Sequence, residues 1–123
     1  MMRALVIDDS RAMRMILARI LKELGFDVVE AAHGKEALER LKGSPPPHLM
    51  MVDWNMPIMD GLALIKTVRA DRAFDAARIL MVTTETERGR VAEALGAGAN
   101  EYMTKPFSRD VVRDTLLRLG LVR

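Results

Sequence analysis

The 123-residue sequence contains no cysteine. Disulfide bonds, thiol catalysis and a cysteine-ligated zinc site are therefore excluded. It also has no long apolar run near its start: residues 4–7 form the only early run, and four residues are far too few for a signal peptide or a membrane span. We therefore expect a cytoplasmic protein without membrane insertion.

A cluster of positive charge is also absent. The formal charge is +2 and the isoelectric point is about 9.3, but the lysines and arginines are scattered and form no run. Nucleic-acid binding requires basic side chains concentrated on one face, so no direct contact with nucleic acid is expected. The length and the ordinary balance of 50% hydrophobic and 29% charged residues suit one globular domain. We expect that domain to cover residues 1–123, with no room for an output domain.

Short apolar runs alternate with stretches of helical periodicity along the whole chain. The predicted strands end at Ile7, Ala31, Asp53, Thr83 and Met103. Each strand is followed by apolar residues spaced three and four apart, which is typical of an amphipathic helix. Such alternation implies a parallel sheet with helices on both faces. The predicted fold class is therefore α/β, a doubly wound (βα)5 sheet.

The fourth helix is predicted to be the weakest of the five. Thr84 and Glu87 have the spacing of a capping box at its start. Gly89 then falls inside the predicted helix, where glycine costs about 1 kcal/mol relative to alanine.

Polar side chains follow the ends of four predicted strands. Asp8 and Asp9 follow the first strand, Asp53 ends the third, Thr83 ends the fourth, and Lys105 lies in the loop after the fifth. Because the carboxyl ends of parallel strands share one edge of the sheet, we expect these side chains to meet there. Three carboxylates suit a hard divalent cation, and Mg²⁺ suits a site that also handles phosphate.

The same set of residues predicts phosphoryl chemistry. A cation, the Lys105 ammonium and the Thr83 hydroxyl can together stabilise the peripheral oxygens of a phosphoryl group that is transferred to Asp53. Asp53 would be the nucleophile and would form an aspartyl-phosphate. Each residue alone is more often a cap, a turn former or a solvated side chain, and only their joint placement favours function. Trp54, the next residue, is expected to be a partly exposed neighbour of the site.

These motifs resemble the receiver domain of bacterial two-component response regulators, over the whole chain. The resemblance is carried by the Asp8-Asp9 pair, the Asp-Trp-Asn-Met-Pro-Ile-Met-Asp-Gly segment at residues 53–61, Thr83, and the Lys-Pro-Phe segment at 105–107. It implies the flavodoxin-like, CheY-like fold with strand order 2-1-3-4-5.

Within that family the chain is most similar to the single-domain chemotaxis regulators of the CheY type. Three segments support this closer similarity, at residues 53–57, 66–71 and 21–26.

The resemblance also implies a metal and phosphorylation site. Asp53 would be the phosphorylated residue. Asp9, Asp53 and the backbone carbonyl of Asn55 would bind Mg²⁺, and Asp8 would support the ion through water. Lys105 would contact the phosphoryl group.

The resemblance further implies a switch and a control of hydrolysis. Thr83 and Tyr102 would form the switch pair, and the Lys105–Pro106 peptide bond would be cis. Asn55 and Glu85 would flank the path of the water that hydrolyses the aspartyl-phosphate, and so set its lifetime.

By the same resemblance, a histidine kinase would donate the phosphoryl group to a monomer. The face formed by helix four, strand five and helix five would bind a target, such as a flagellar motor switch protein or a phosphatase. The chain would not be an enzyme beyond its own phosphorylation and slow dephosphorylation. A phosphate-independent interaction module and a phosphate sink stay open as alternatives. A flavodoxin-like redox protein shares the fold, but no Ser/Thr/Gly-rich phosphate loop follows the first strand.

Overall fold

The computed structural model describes residues 2–84 and 89–122. Within these ranges, strands and α-helices alternate from β1 to α5, with a 3-10 turn between α3 and β4 and 3-10 conformation at residues 89 and 90 before α4. Their bounds are β1 Met2–Ile7, α1 Arg11–Glu23, β2 Phe26–Ala31, α2 Gly34–Leu41, β3 Leu49–Asp53, α3 Gly61–Arg69, the 3-10 turn Arg72–Phe74, β4 Arg78–Thr83, α4 Val91–Ala97, β5 Glu101–Thr104 and α5 Arg109–Arg118. None of the helices in these ranges is long and apolar enough to cross a bilayer.

All five strands are parallel, in the order β2-β1-β3-β4-β5. The predicted fold class and strand order are thus confirmed. The register places Ile7 beside Val52 and Thr83 beside Thr104. The residues that follow β1, β3, β4 and β5 therefore share one edge of the sheet.

Two hydrophobic clusters lie on opposite faces of the sheet, because successive strand residues point to opposite sides. The first cluster joins the sheet to α1 and α5, and its buried members are Ala4, Val6, Leu17, Leu21, Phe26, Leu49, Met51, Leu80, Val82, Met103, Val112 and Leu116. The second joins it to α2, α3 and α4 through Leu5, Ile7, Ala31, Ala37, Leu41, Met50, Val52, Trp54, Leu62, Leu64, Ile65, Val68, Ile79, Met81, Ala94 and Ala99. The site edge is thus carried on a sheet that is buried on both faces.

Helix α4 departs from the sequence-based expectation. Its N-cap is Arg90, which makes no side-chain cap hydrogen bond, and Gly89 precedes that cap. Gly89 and Arg90 lie in 3-10 conformation directly before α4, so the prediction that Gly89 lies inside the α-helix was wrong, in keeping with the low α-helix propensity of glycine. The predicted capping box cannot be placed, since Glu87 lies outside the described residues.

Arg69, the last residue of α3, fastens the segments that follow it. Its Nε donates to the Gly98 carbonyl at 3.0 Å, and Nη1 donates to the Phe74 carbonyl at 2.7 Å. Its Nη2 donates to the Ala77 carbonyl at 2.7 Å and to Asn100 Oδ1 at 2.9 Å. Because Gly98 is the C-cap of α4, this guanidinium ties the C-terminal end of α4 to α3.

Candidate functional site

Three carboxylates meet at the carboxyl edge of β1 and β3. Asp8 directly follows β1 and Asp53 is the last residue of β3. One carboxylate oxygen from each of Asp8, Asp9 and Asp53 lies within 4.8 Å of the others. Asp8 and Asp53 are buried, at 1% and 6% exposure, whereas Asp9 is exposed. The structure thus brings together the three side chains that the sequence analysis assigned to the metal.

Lys105 bridges two of these carboxylates. Its Nζ lies 3.1 Å from Asp8 Oδ2 and 3.3 Å from Asp53 Oδ1. Its backbone N–H donates to the Thr83 carbonyl at 2.7 Å, and the Lys105–Pro106 bond is cis, as the resemblance implied. One ammonium facing three carboxylates leaves the site with an excess of negative charge.

The environment of Asp53 raises its pKa. Burial is the largest cause, the neighbouring Asp8 charge adds to it, and Lys105 opposes it, so that the pKa rises from 3.8 to about 6. Burial lowers the pKa of Lys105, but the facing Asp53 and Asp8 carboxylates outweigh burial and hold that pKa above its usual value. At pH 7 Asp53 is therefore still mostly ionised, although burial and the neighbouring Asp8 charge make its ionised form less stable than it would be in water.

Thr83 lies at the end of β4 and is fully buried, at 0% exposure. Its Oγ1 has no hydrogen-bond partner in the part of the chain that the structure describes. An unpartnered buried hydroxyl is costly, and such groups in folded proteins call for an explanation. A ligand oxygen at this edge of the sheet would supply the missing partner.

The other predicted site residues lie in less enclosed positions. Asn55 is exposed in the loop after β3. Tyr102 is half-buried on β5, packs against the core cluster of α2, α3 and α4, and lies two residues before Thr104, the register partner of Thr83. Glu85 lies outside the described residues, so its role in hydrolysis stays a prediction.

The loop after β3 is fixed at both ends. The Gly61 N–H donates to the Trp54 carbonyl at 2.9 Å, and the Asp60 carboxylate caps α3 by accepting from the Ala63 N–H at 2.9 Å. A methyl group on Gly61 would overlap the Asp53 carbonyl oxygen. This close approach requires glycine at the first position of α3, and it holds that helix directly against the strand that carries Asp53.

Sequence reasoning assigned no role to Arg14, which lies on the first helix. The Arg14 guanidinium donates to the Asp8 carbonyl at 2.7 Å and pairs with Glu30 at 3.2 Å. It thereby fixes the backbone that presents Asp8 and Asp9. A usable signal was its position one turn after Ser10, which is the N-cap of α1 and lies beside the strand ends.

Trp54 was expected to be partly exposed, and this was wrong: it is 1% exposed. The Arg90 guanidinium carbon lies 4.5 Å from the centroid of the indole, in a cation–π contact. The indole belongs to the core cluster of α2, α3 and α4. Periodicity could not reveal this, because Arg90 is distant in sequence and the contact depends on the start of α4.

Comparison with known proteins identifies the family of the chain. The profile of the family described as the response regulator receiver domain matches residues 4–117. The chain belongs to this family. The family membership predicted from the sequence is therefore confirmed, and the chain is a receiver domain of a two-component response regulator.

The receiver domain is similar to chemotaxis proteins along almost its full length. It is 47% identical over 116 residues to the chemotaxis protein CheY1 of Helicobacter pylori strain J99, with 94% of each chain covered. It is 45% identical over 116 residues to the chemotaxis protein CheY homolog of Campylobacter jejuni, covering 94% of this chain and 89% of the relative. The receiver domain is therefore of the CheY type.

Solved structures give the same result. The chemotaxis response regulator CheY4 of Vibrio cholerae superposes with a TM-score of 0.89 at 34% identity, covering 97% of this chain and 98% of that one. The receiver domain of a sensor histidine kinase from Pseudomonas aeruginosa, which has a magnesium ion coordinated in its active-site cleft, gives a TM-score of 0.84 at 25% identity and covers 95% of both chains.

The residues at the acidic edge fit the Mg²⁺ that receiver domains typically bind. The side chains of Asp8, Asp9 and Asp53 offer only hard oxygen donors, which Mg²⁺ prefers. The excess negative charge and the raised pKa of Asp53 both indicate a site that a cation would stabilise.

Proposed function

We propose that this receiver domain is a phosphorylation-controlled switch, in which Asp53 accepts a phosphoryl group from a histidine kinase in the presence of Mg²⁺. The observation that carries the proposal is the group of side chains around one buried carboxylate. Lys105 Nζ lies 3.3 Å from Asp53, and the buried Thr83 hydroxyl has no hydrogen-bond partner among residues 2–84 and 89–122. A positive charge and a free donor beside a nucleophilic carboxylate are what phosphoryl transfer requires.

The transfer uses the residues in fixed roles. An Asp53 carboxylate oxygen forms a bond to phosphorus while the phosphorus–nitrogen bond to the donor histidine breaks. The electron pair of that bond leaves with the imidazole, which takes up a proton. Lys105 holds the phosphoryl oxygens by charge, and the Thr83 hydroxyl donates to one of them. No external substrate is turned over, since the acceptor is the protein itself.

The three carboxylates would hold the ion. Asp9 and Asp53 would contact it, with Asp8 assisting and the Asn55 carbonyl as a further oxygen donor. When bound, Mg²⁺ neutralises the crowded carboxylates and the charge of the phosphoryl oxygens. Asp8 remains paired with Lys105, which keeps the ammonium in place beside the acceptor oxygen.

The signal would leave through the face formed by α4, β5 and α5. Exposed apolar side chains lie on this face, with Leu95 on α4 at 42% exposure and Val111 on α5 at 44%. A shallow groove of about 340 Å³, lined in part by Tyr102 and Pro106, lies between β5 and α5. The names of the relatives favour a chemotaxis target, such as a motor switch protein or a phosphatase.

Hydrolysis returns the carboxylate of Asp53 and inorganic phosphate, and its rate depends on the placement of one water molecule. The exposed position of Asn55 beside Asp53 suits a role in admitting that water. Phosphorylated Asn55→Met protein, isolated free of donor, should release phosphate more slowly than the parent protein. An equal rate would assign water placement to another residue.

The proposal is tested with acetyl phosphate as the donor, with and without Mg²⁺, by mass spectrometry of the intact protein and of its peptides. We expect the gain of one phosphoryl group on Asp53, only with Mg²⁺, and its loss in Asp53→Asn. Asp27→Asn, on an exposed position of β2, is the matched control and should be phosphorylated normally.

Phosphorylation without metal, or on another residue, would contradict the proposal. No modification under any condition would favour a phosphate-independent interaction module instead. If Asp53 is phosphorylated normally but no target binds in a phosphorylation-dependent way, the result would favour a phosphate sink.

A further inference from the structure

The contact between Arg90 and Trp54 joins the phosphoacceptor strand to α4. Trp54 directly follows Asp53, is 1% exposed, and carries the Arg90 guanidinium 4.5 Å above its ring centroid. The same guanidinium pairs with Glu93, one turn into α4, at 3.2 Å. Arg90 is the N-cap of α4, so its side chain reaches from the start of that helix to the residue beside the acceptor.

The two ends of α4 are held in different ways. The C-terminal end is tied by the Arg69 guanidinium, which donates to the Gly98 carbonyl at 3.0 Å. At the N-terminal end, the N-cap residue Arg90 makes no side-chain cap hydrogen bond. A helix that is fastened at its C-terminus and held at its N-terminus by a cation–π contact can pivot about the fastened end.

The indole is free to respond to this contact. Its Nε1 is buried and has no hydrogen-bond partner within the described residues, so packing and the Arg90 guanidinium determine where the ring lies. The backbone of Trp54 is fixed separately, by the hydrogen bond from the Gly61 N–H. A shift of α4 therefore changes the surroundings of the ring without displacing the strand that carries Asp53.

We propose that Arg90 is a positioning residue that holds the N-terminal end of α4 in its unphosphorylated position by gripping the Trp54 indole. The inference rests on the proposed function, in which phosphorylation of Asp53 draws the unpartnered Thr83 hydroxyl toward the phosphoryl oxygens. That movement displaces the end of β4, and the guanidinium leaves the ring as α4 pivots. The contact thus opposes phosphorylation, and its loss accompanies the response.

The sign of the coupling follows from thermodynamic linkage. A contact that is present only in the unphosphorylated state weakens binding of a phosphoryl mimic by its own free energy. Arg90→Met keeps a long apolar side chain but removes the charge, and should tighten the binding of beryllofluoride in the presence of Mg²⁺. The expected gain is about two- to fivefold, the range that corresponds to a cation–π contact at a half-exposed site.

The binding of beryllofluoride is measured by fluorine NMR, and the emission of Trp54, the single tryptophan of the chain, is followed in parallel. In the parent protein the emission should change on binding, and Arg90→Met should lose most of that change. Arg90→Lys retains a cation and should restore part of the parent affinity. Glu93→Gln removes the ion pair but leaves the indole contact, and should behave as the parent protein does.

A double-mutant cycle isolates the indole. In a Trp54→Phe background, where the ring is a weaker partner for a cation, the effect of Arg90→Met on beryllofluoride affinity should shrink. An unchanged affinity in Arg90→Met, or an equal gain in Glu93→Gln, would overturn the inference while leaving the proposed function intact. A parent protein that binds no beryllofluoride with Mg²⁺ would overturn both.

Discussion

The two strand-to-helix junctions at the site edge differ in how firmly their helices are anchored. The junction of β3 and α3 is tightly fixed: Asp60 caps α3, and the helix buries five of its nine residues. The junction of β4 and α4 leads to a seven-residue helix whose N-cap residue, Arg90, makes no side-chain cap hydrogen bond, and within the helix only Ala94 is buried. The first junction carries Asp53 and the second carries Thr83.

The difference separates the residue that reacts from the residue that responds. A nucleophile must be held in one position to meet its substrate, so burial around Asp53 serves the chemistry. A segment that transmits a change must have a second arrangement close in free energy, and weakly anchored elements supply it. Four predictions, in order of decreasing expected effect, test how firmly each junction is held.

The largest effect is expected for Gly61→Ala, at the start of α3. The added methyl group would overlap the Asp53 carbonyl oxygen, and backbone atoms cannot move aside as a flexible side chain can. We expect a loss of about 3 kcal/mol in the free energy of unfolding, measured by urea denaturation. An unchanged stability would show that the β3–α3 junction is more adaptable than its geometry indicates.

Asp53→Asn should stabilise the metal-free protein in a pH-dependent manner. Folding raises the pKa of Asp53 from 3.8 to about 6, so the folded chain binds more protons than the unfolded chain between these values. The stability of the parent protein therefore falls as the pH rises through this window, whereas the asparagine variant is spared that loss. At about 1.4 kcal/mol per pKa unit, a shift of this size corresponds to about 3 kcal/mol at most, so the variant's advantage should grow from near zero below pH 4 to about 2–3 kcal/mol above pH 7.

Urea denaturation in the presence of a chelator, from pH 4 to pH 7.5, measures this difference. Asp27→Asn serves as the control at an exposed carboxylate. An advantage that is constant with pH would argue against a raised pKa in the folded state.

Thr83→Val tests the second junction. The buried Thr83 hydroxyl has no partner in the described part of the chain, and valine has nearly the same shape but no hydroxyl to satisfy. We expect thermal and urea unfolding to show a gain of about 1 kcal/mol in the free energy of unfolding, together with slower phosphorylation by acetyl phosphate. A loss of stability would mean that the hydroxyl is already satisfied in solution, for example by water.

The smallest effect is expected for Gly96→Ala, near the end of α4. A methyl group there would meet no described atom within 4 Å outside its own helix backbone and chain neighbours, so only the helix propensity changes. We expect a gain of about 0.5–1 kcal/mol in the free energy of unfolding, opposite in sign to the same substitution at Gly61. A destabilised variant would show that α4 does not keep this helical conformation in solution.

The sequence predicted the fold and the gathering of the acidic residues because both follow from local rules. Apolar runs that end in polar residues determine where strands stop, and parallel pairing then brings Asp8, Asp53 and Thr83 to one edge. The strand order came from the family resemblance, since no periodicity states which strands are neighbours.

Sequence reasoning failed where a side chain acts far from its own segment. It assigned no role to Arg14, which binds the Asp8 carbonyl, or to Arg69, which binds the Phe74 and Ala77 carbonyls. The burial of Trp54 could not be predicted either, because it depends on where α4 begins and on the reach of Arg90. Long polar side chains have many possible partners, and their choice is made only when the elements pack.

Lys105 offsets only part of the charge of the surrounding carboxylates, and the remaining negative charge makes this site sensitive to ionic strength. Since Lys105 faces two carboxylates and a third lies nearby, the metal-free edge repels any anionic donor that approaches it. Salt at the concentration found in cells reduces the reach of that repulsion to about 8 Å, while at low salt it extends much further. Low ionic strength should therefore strengthen cation binding and slow the approach of an anionic donor to the metal-free site. The receiver domain should thus depend most strongly on a bound cation, for reaction with an anionic donor, at the lowest ionic strength.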